Sequence, residues 1–475
     1  MRRFQVWITA GVLAAVVAMP RPVEAQGFSV NEHGSCTMGR GGTGVASPCT
    51  DDASAVLYNP AGLIMAKGKG AVSGGATLIT PTGDFTNSAT GVTSTLMSET
   101  TPVPALFLGY GLSDKVSIGL GVFAPYGLAI NWPMSFEGRF LGYHSSIKGI
   151  YFQPTVAFKV NDWLQLGGGV DITRTTVGLS QRVDLAPQVV TGAPPMPNGD
   201  PTTFANLGIA YGTDFADVQL NGDAMSVGYS LGMIIQPIKR VSIGVRYLSK
   251  QTANVDGAQA VIAQVPTNLY LAPGNPLGLP AGTPVDALVA PEFQTGGPLV
   301  NQTGSTVIPF PAQLTFGLAL QATDKLKLLG DVGFQYWNVF ATLPLEFALI
   351  GTETIVESYQ NTTSWRAGAE YLVSPKTTVR AGFISHGAAA PDQTVTPNLP
   401  EAPRTELTAG VGSRLTDRWS FDFAYQYIIQ ADRQGRTSNG CLNAGLACAD
   451  PTAALNNGLY TFNANLLGLT LSYSF

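Results

Sequence analysis

The chain has 475 residues, of which 45% are hydrophobic and only 12% charged, with 55 glycines and a formal net charge of −5. That charged share is about half of what a soluble globular protein carries, which argues against a soluble enzyme of this length. The mildly acidic balance leaves no basic footprint for nucleic acid.

Arg2 and Arg3, the apolar run from Phe4 to Met19, and the small-residue stop at Val23-Glu24-Ala25 read as a secretory signal over residues 1–25, with the mature chain starting at Gln26. No later run of 18 apolar residues exists, so the chain contains no membrane-spanning helix. A closed barrel is the other structure that satisfies every backbone amide within lipid.

Residues 26–70 fit no strand pattern and are rich in Gly and small side chains. Gly39-Arg40-Gly41-Gly42-Thr43-Gly44 has the glycine spacing of a dinucleotide loop, but the strand before it and the helix after it are missing. Its glycines suit close backbone packing instead. Asp51-Asp52 lacks clustered partner ligands, so Asp51 is expected to cap a short helical turn over 53–58 that Asn59-Pro60 ends; no metal site is expected. Four cysteines fall in two close pairs, Cys36 with Cys49 and Cys441 with Cys448. An even count in an exported chain permits two disulfides, local pairing being one of three connectivities.

From residue 71 the signal is alternation. Val241, Ile243, Val245 and Tyr247 alternate with Ser242, Gly244 and Arg246. Trp419, Phe421, Phe423, Tyr425 and Tyr427 alternate with Ser420, Asp422, Ala424 and Gln426. Period two places each set on one face of a strand. Strands are expected at 71–81, 102–111, 115–124, 146–160, 163–181, 217–236, 240–256, 309–321, 325–339, 362–373, 376–386, 404–415, 418–430 and 459–475. Six tight turns join them at one end (111–115, 160–163, 236–240, 322–325, 373–376, 415–418). Seven long Pro/Gly-rich or polar segments join them at the other (near 82–101, 125–145, 182–216, 257–308, 340–361, 387–403 and 431–458). Short turns on one side and long loops on the other mark an outer-membrane barrel with apolar side chains facing lipid and polar ones facing the lumen. The expected architecture is all-β: a 14-stranded antiparallel transmembrane β-barrel over 71–475, with both termini periplasmic. Residues 26–70 form an N-terminal hatch that plugs a lumen too wide to be left open.

The Gly228-Tyr229-Ser230-Leu231-Gly232 run matches a hydrolase elbow in letters only, because Ser230 falls in mid-strand. No catalytic residues are assigned. Lumen-facing charges (Arg246, Lys327, Asp331, Arg380, Glu406, Arg414, Asp422) are expected to form an ion-paired ladder, in which an Arg is also a possible partner for a carboxylate. In the long segment 257–308, Leu269, Tyr270, Leu271 and Leu277 are unusually apolar for a loop. They either cap the barrel mouth or offer a docking groove to an apolar ligand.

Several motifs resemble the FadL-type outer-membrane transport proteins. They are Gly27-Phe28, Asn31-Glu32, Gly39-Arg40, Asp51-Asp52-Ala53-Ser54 and Asn59-Pro60-Ala61-Gly62, then Pro125-Tyr126-Gly127, Phe310-Pro311-Ala312, Trp337, Pro400-Glu401-Ala402-Pro403-Arg404 and the terminal Phe475. The resemblance implies passive uptake of long-chain fatty acids or hydrocarbons by a monomer in contact with outer-membrane lipid and lipopolysaccharide, without a cofactor. It implies docking among the loops, a lumen pocket beside Phe28, and exit through a gap in the wall. It also implies that Asn59, Pro60 and Ala61 belong to the pocket-forming hatch and hold it. The hatch cysteines depart from the family pattern; if bonded, they limit its rearrangement. The alternatives are a general porin for polar solutes, which calls for an unplugged lumen, and a surface adhesin with no path through its wall.

Overall fold

The computed structural model describes residues 27–30, 32–65, 69–435 and 456–475. The expected signal segment and the Cys441/Cys448 pair lie outside the described residues. Among those described, fourteen antiparallel staves close into one barrel. They are β1 (Gly70–Asn87), β2 (Thr101–Ser113), β3 (Val116–Asn131), β4 (His144–Lys159), β5 (Leu164–Asp184) and β6 (Asp214–Ile238). Two broken staves follow, β7 (Val241–Leu248 and Gln251–Gln264) and β8 (Gln302–Phe310 and Gln313–Gln321). The circuit is completed by β9 (Leu326–Gln335), β10 (Thr362–Ser374), β11 (Thr377–His386), β12 (Arg404–Arg414), β13 (Trp419–Gln430) and β14 (Gly458–Ser474). Closure is the β1–β14 ladder, continuous from Ala71↔Ser474 to Asn87↔Gly458.

The faces follow the alternation. Leu106, Leu108 and Tyr110 of β2, Ile150 and Phe152 of β4, and Leu467, Leu469 and Leu471 of β14 are exposed outward, where lipid covers them. Ser420, Asp422, Ala424 and Gln426 of β13 turn inward and are buried.

Six segments read as loops contain strand, four of them over several residues. The first, 82–101, contains the upper part of β1 and a short strand, Thr93–Thr95, paired to it. The segment 125–145 contains the top of β3, and 257–308 contains the tops of β7 and β8. In 340–361 a hairpin, Thr342–Phe347 with Gly351–Val356, extends the wall. Pro, Gly and polar residues hid these extensions. Above the membrane the ladder still satisfies backbone groups, but neither face has to be apolar, so the alternation fades.

The N-terminal segment 27–65 lies in the lumen, and glycines on the wall make room for it. A Cβ on Gly382 of β11 would overlap the Gly41 amide nitrogen, one on Gly368 of β10 the Arg40 carbonyl, one on Gly244 of β7 the Val45 carbonyl, and one on Gly232 of β6 the Asn59 side chain. Gly41 itself holds φ +70°, a conformation that L side chains adopt at a cost. Polar bonds fix the same contact. Arg40, 1% exposed, pairs with Glu370 at 2.6 Å, and Asp331 Oδ2 accepts the Gly44 N–H at 3.0 Å and the Val45 N–H at 3.3 Å. The expected lumen ladder is present in part: Glu370 also pairs with Arg380 and Lys327, and Arg380 with Asp422. Arg414 instead reaches Asp51 at 3.7 Å, and among the described residues Arg246 forms no ion pair.

The short helix runs from Ala55 to Tyr58, and its first turn is supported by Asp52 rather than Asp51. Asp52 Oδ1 accepts both the N–H and the hydroxyl of Ser54. Cys36 and Cys49 are disulfide-bonded across 13 residues, with Cα atoms 6.4 Å apart.

Candidate functional site

The site begins at an irregularity in β3. The β3–β4 register advances from Phe123↔Tyr151 to Tyr126↔Gly149, so β3 carries one residue more than its partner. This is a β-bulge at Ala124-Pro125, and Pro suits it because a bulge leaves an amide outside the ladder. Pro125, read from sequence as following the third strand, lies inside it. On the other side, β2 pairs with β3 only from Ser113↔Val116 up to Leu106↔Val122. Above that point the lumen segment takes over as the partner of β3. Val30 N–H donates to the Pro125 carbonyl at 2.8 Å, and Gly127 N–H to the Phe28 carbonyl at 2.9 Å. Residues 101–105 of β2 therefore stand apart from β3.

A cavity of about 560 Å³ fills the space so created, within the roughly 300–1,000 Å³ typical of ligand pockets. It touches both faces of the wall. Phe123, Tyr126 and Leu466 line it from the lumen, while Leu106 and Ile150, about half exposed on the lipid side, line it from outside. Its lining is predominantly apolar, with Lys148 at the outer face and Glu32, Glu401, Arg404 and Glu406 inside.

Phe28 closes the inner end. It is buried, and four rings meet it edge-on: Trp337 at 4.7 Å, Phe340 at 5.6 Å, Phe310 at 6.1 Å and Tyr126 at 6.3 Å between centroids. The edge-to-face arrangement fixes the ring through its quadrupole as well as by area. Two charged groups clamp the backbone beside it. Glu401 accepts the Gly27 N–H at 3.2 Å, and Arg404 donates to the Gly27 carbonyl at 2.7 Å.

Of the candidate substrate-binding residues named from sequence (Phe28, Asn59, Pro60, Ala61, Leu269, Tyr270, Leu271 and Leu277), Phe28 alone lines this cavity. Asn59, Pro60 and Ala61 sit elsewhere: the Asn59 amide donates to the carbonyls of Val45 (2.7 Å), Met233 (3.0 Å) and Val245 (3.3 Å), and Pro60 and Ala61 press on Gly167 and Gly232. They tie the lumen segment to the wall. Leu271 is buried in a loop cluster with Phe204, Val285 and Val289, and Leu277 packs against it. Leu269 and Tyr270 are exposed. None of these four lines the large cavity. Arg404 and Glu401 were in view as a motif without a role. Lys148 gave no signal, because an outward Lys on a strand acquires meaning only beside an opening.

Among the described His, Cys, Asp and Glu side chains, one group is close enough to share an ion: Cys36, Cys49 and Asp52. The two sulfurs are bonded to each other, so no thiolate is on offer. Ser230 is buried in mid-strand, and its Oγ accepts from Gln153 Nε2 at 2.7 Å, which is a packing role.

Two buried groups of the lumen segment respond to pH in opposite directions. Burial pulls His33 down to about 4, despite its bond to the Ala124 carbonyl. Burial pushes Asp52 up to about 6, although Ser54 hydrogen-bonds it. For Asp52 the fold prefers the protonated form. Its contribution is complete below the ordinary value of 3.8 and is lost as pH rises through about 6. Asp52→Asn, which stays neutral, should therefore gain on the wild type between those values by about 2–3 kcal/mol and hold a constant difference above. Protease resistance of the lumen segment measured across pH 4–7 checks this; parallel profiles for the two proteins refute it.

Comparison with known proteins gives the same architecture. The model of a family described as outer membrane protein transport protein (OMPP1/FadL/TodX) matches residues 15–475. A long-chain fatty acid transport protein of Escherichia coli O6:H1 is 23% identical over 88% of this chain and 91% of its own. Among solved structures, a Pseudomonas aeruginosa FadL homologue superimposes with TM-score 0.76 at 21% identity, over 95% of this chain and all of that one. The Pseudomonas putida toluene transporter TodX gives 0.62 at 16%, over 95% and 99%.

Proposed function

The chain belongs to the OMPP1/FadL/TodX family of outer-membrane transport proteins, and from that premise we propose that it is a passive channel for long-chain fatty acids or hydrocarbons that releases them sideways. It is a transporter of hydrophobic compounds and not an enzyme. The observation that carries the finer reading is the cavity lined from both faces of the wall between β2 and β3. An apolar tail entering it leaves water at about 0.8 kcal/mol per CH₂ and meets side chains continuous with lipid, so it never crosses the polar lumen. The loop cap forms the first contact, residues 26–70 act as a hatch, and Phe28 ends the pocket. A carboxylate, where the substrate has one, is met by Lys148 at the outer mouth or by Arg404 inside.

A general porin calls for an open lumen; here the lumen segment is tied to the wall by Arg40, Asn59 and Asp331. The test is native mass spectrometry of the detergent-purified protein with lipid extraction. A fatty acid or hydrocarbon is expected to co-purify, with Phe28→Ala weakening its retention by about tenfold or more. An empty protein that swells liposomes in sugars, indifferent to fatty acids, would return the porin reading.

A further inference from the structure

A second, smaller cavity lies at the seam between the lumen segment and the wall. It has about 20 Å³ of free space and is lined by Arg246 of β7, Arg366 of β10, Gln313, Gln335, Ser364 and, from the lumen segment, Tyr58. That space holds one water or one monatomic ion. Arg246 is 6% exposed. Its Nη1 donates to Gln313 Oε1 at 3.1 Å, while Nε and Nη2 have no partner. Arg366 Nε and the Ser364 hydroxyl, also buried, have none either.

No carboxylate lines this cavity. Asp331 stands opposite Arg366 in the β9–β10 register, but its Oδ2 takes the Gly44 and Val45 N–H groups of the lumen segment. Asp171, buried with both carboxylate oxygens unpartnered, acts on Arg246 electrostatically without forming an ion pair with it. Two guanidinium groups thus face one enclosed space with donors to spare and no carboxylate in its lining. A buried N–H left without an acceptor is costly, and a buried charge more so.

We propose that Arg246 and Arg366 hold one small monovalent anion, distinct from the apolar ligand, at the seam between hatch and wall. Arginine suits the task, since its rigid fork of donors accepts an anion without losing charge on burial. The site also reaches the large cavity. Gln335 accepts from Ser29 at 3.2 Å, and Gln313 donates to the Tyr126 hydroxyl at 2.9 Å, so an anion here steadies residues on both sides of Phe28.

The experiment is anomalous diffraction from crystals of the full protein grown in sodium bromide. A bromide peak within hydrogen-bond distance of both guanidinium groups is expected in the wild type and in Arg174→Gln, a control on an exposed pair. It should be lost in Arg366→Gln and in Arg246→Gln. If one variant fails to assemble, the other decides; Ser364→Ala, which removes no charge, should retain bromide at reduced occupancy. A cavity filled by water alone, or a peak that persists in both Arg variants, overturns the proposal. Sodium laurate in the same crystals tests that distinction: retention of bromide identifies an inorganic halide, and displacement by the substrate carboxylate overturns the proposal.

Discussion

Deleting Pro125 is expected to abolish uptake of hydrophobic substrates while leaving the barrel folded. The deletion removes the one surplus residue of β3, so that Ala124 falls opposite Ile150 and the ladder to β4 becomes regular. A straight β3 can then extend its ladder to β2 beyond Leu106↔Val122, bringing Phe123 opposite Ala105 and sealing the space that now opens to lipid. The lumen segment loses its place at the same time, because the carbonyl that receives Val30 belongs to the deleted residue. Uptake in whole cells or proteoliposomes should fall by about tenfold or more, which corresponds to about 1.4 kcal/mol or more of barrier. Heat-modifiable migration on gels reports whether the barrel has formed. A folded deletion variant with wild-type uptake would show that substrates leave by another route.

The second large effect is expected from a single methyl group. Gly382→Ala places a Cβ on the Gly41 nitrogen, and Gly382→Val adds two more carbons. Neither backbone can retreat: Gly382 is held in the β10–β11–β12 ladders and Gly41 is flanked by Arg40, whose buried ion pair with Glu370 depends on the same contact. Lifting the segment separates that pair, and leaving one partner of a buried ion pair alone costs about 3–5 kcal/mol. Ion conductance in planar bilayers should rise from near closed to that of an open pore, more for Val than for Ala. Gly330→Ala on β9, where the nearest atom to a new Cβ is an ordinary 3.7 Å away, should change nothing. A closed Gly382→Val channel would mean that the segment seats without this contact.

These two predictions rest on features that differ in how far the sequence revealed them. The fourteen staves were legible because lipid on one side and a polar lumen on the other impose period two, as in the run from Trp419 to Tyr427. The tight turns were legible because hairpins admit few residue types. The bulge at Pro125 was not. A proline after an apolar run reads as a strand end, and only the register of β4 reveals that the strand continues past it. Breaks such as Ser249-Lys250 in β7 and Pro311-Ala312 in β8 were hidden for the same reason. At the site, Phe28 could be named, but its box could not: Tyr126, Phe310, Trp337 and Phe340 come from distant parts of the chain and meet only through barrel closure. Asn59 was named for its Asn-Pro-Ala motif alone. Its acceptors are backbone carbonyls, which leave no mark in a sequence.

The disulfide sets an order of events during biogenesis. Cys36 and Cys49 are 5% and 7% exposed, enclosed by a wall whose final seam is the β1–β14 ladder. Once that seam has zipped, an oxidising enzyme has no access to either sulfur. The bond is therefore expected to form while the chain is still open, before the last stave joins the first. The wall then folds around an N-terminal segment that is already cross-linked. A pulse-labelled chain trapped before seam closure should already resist thiol alkylation at both positions.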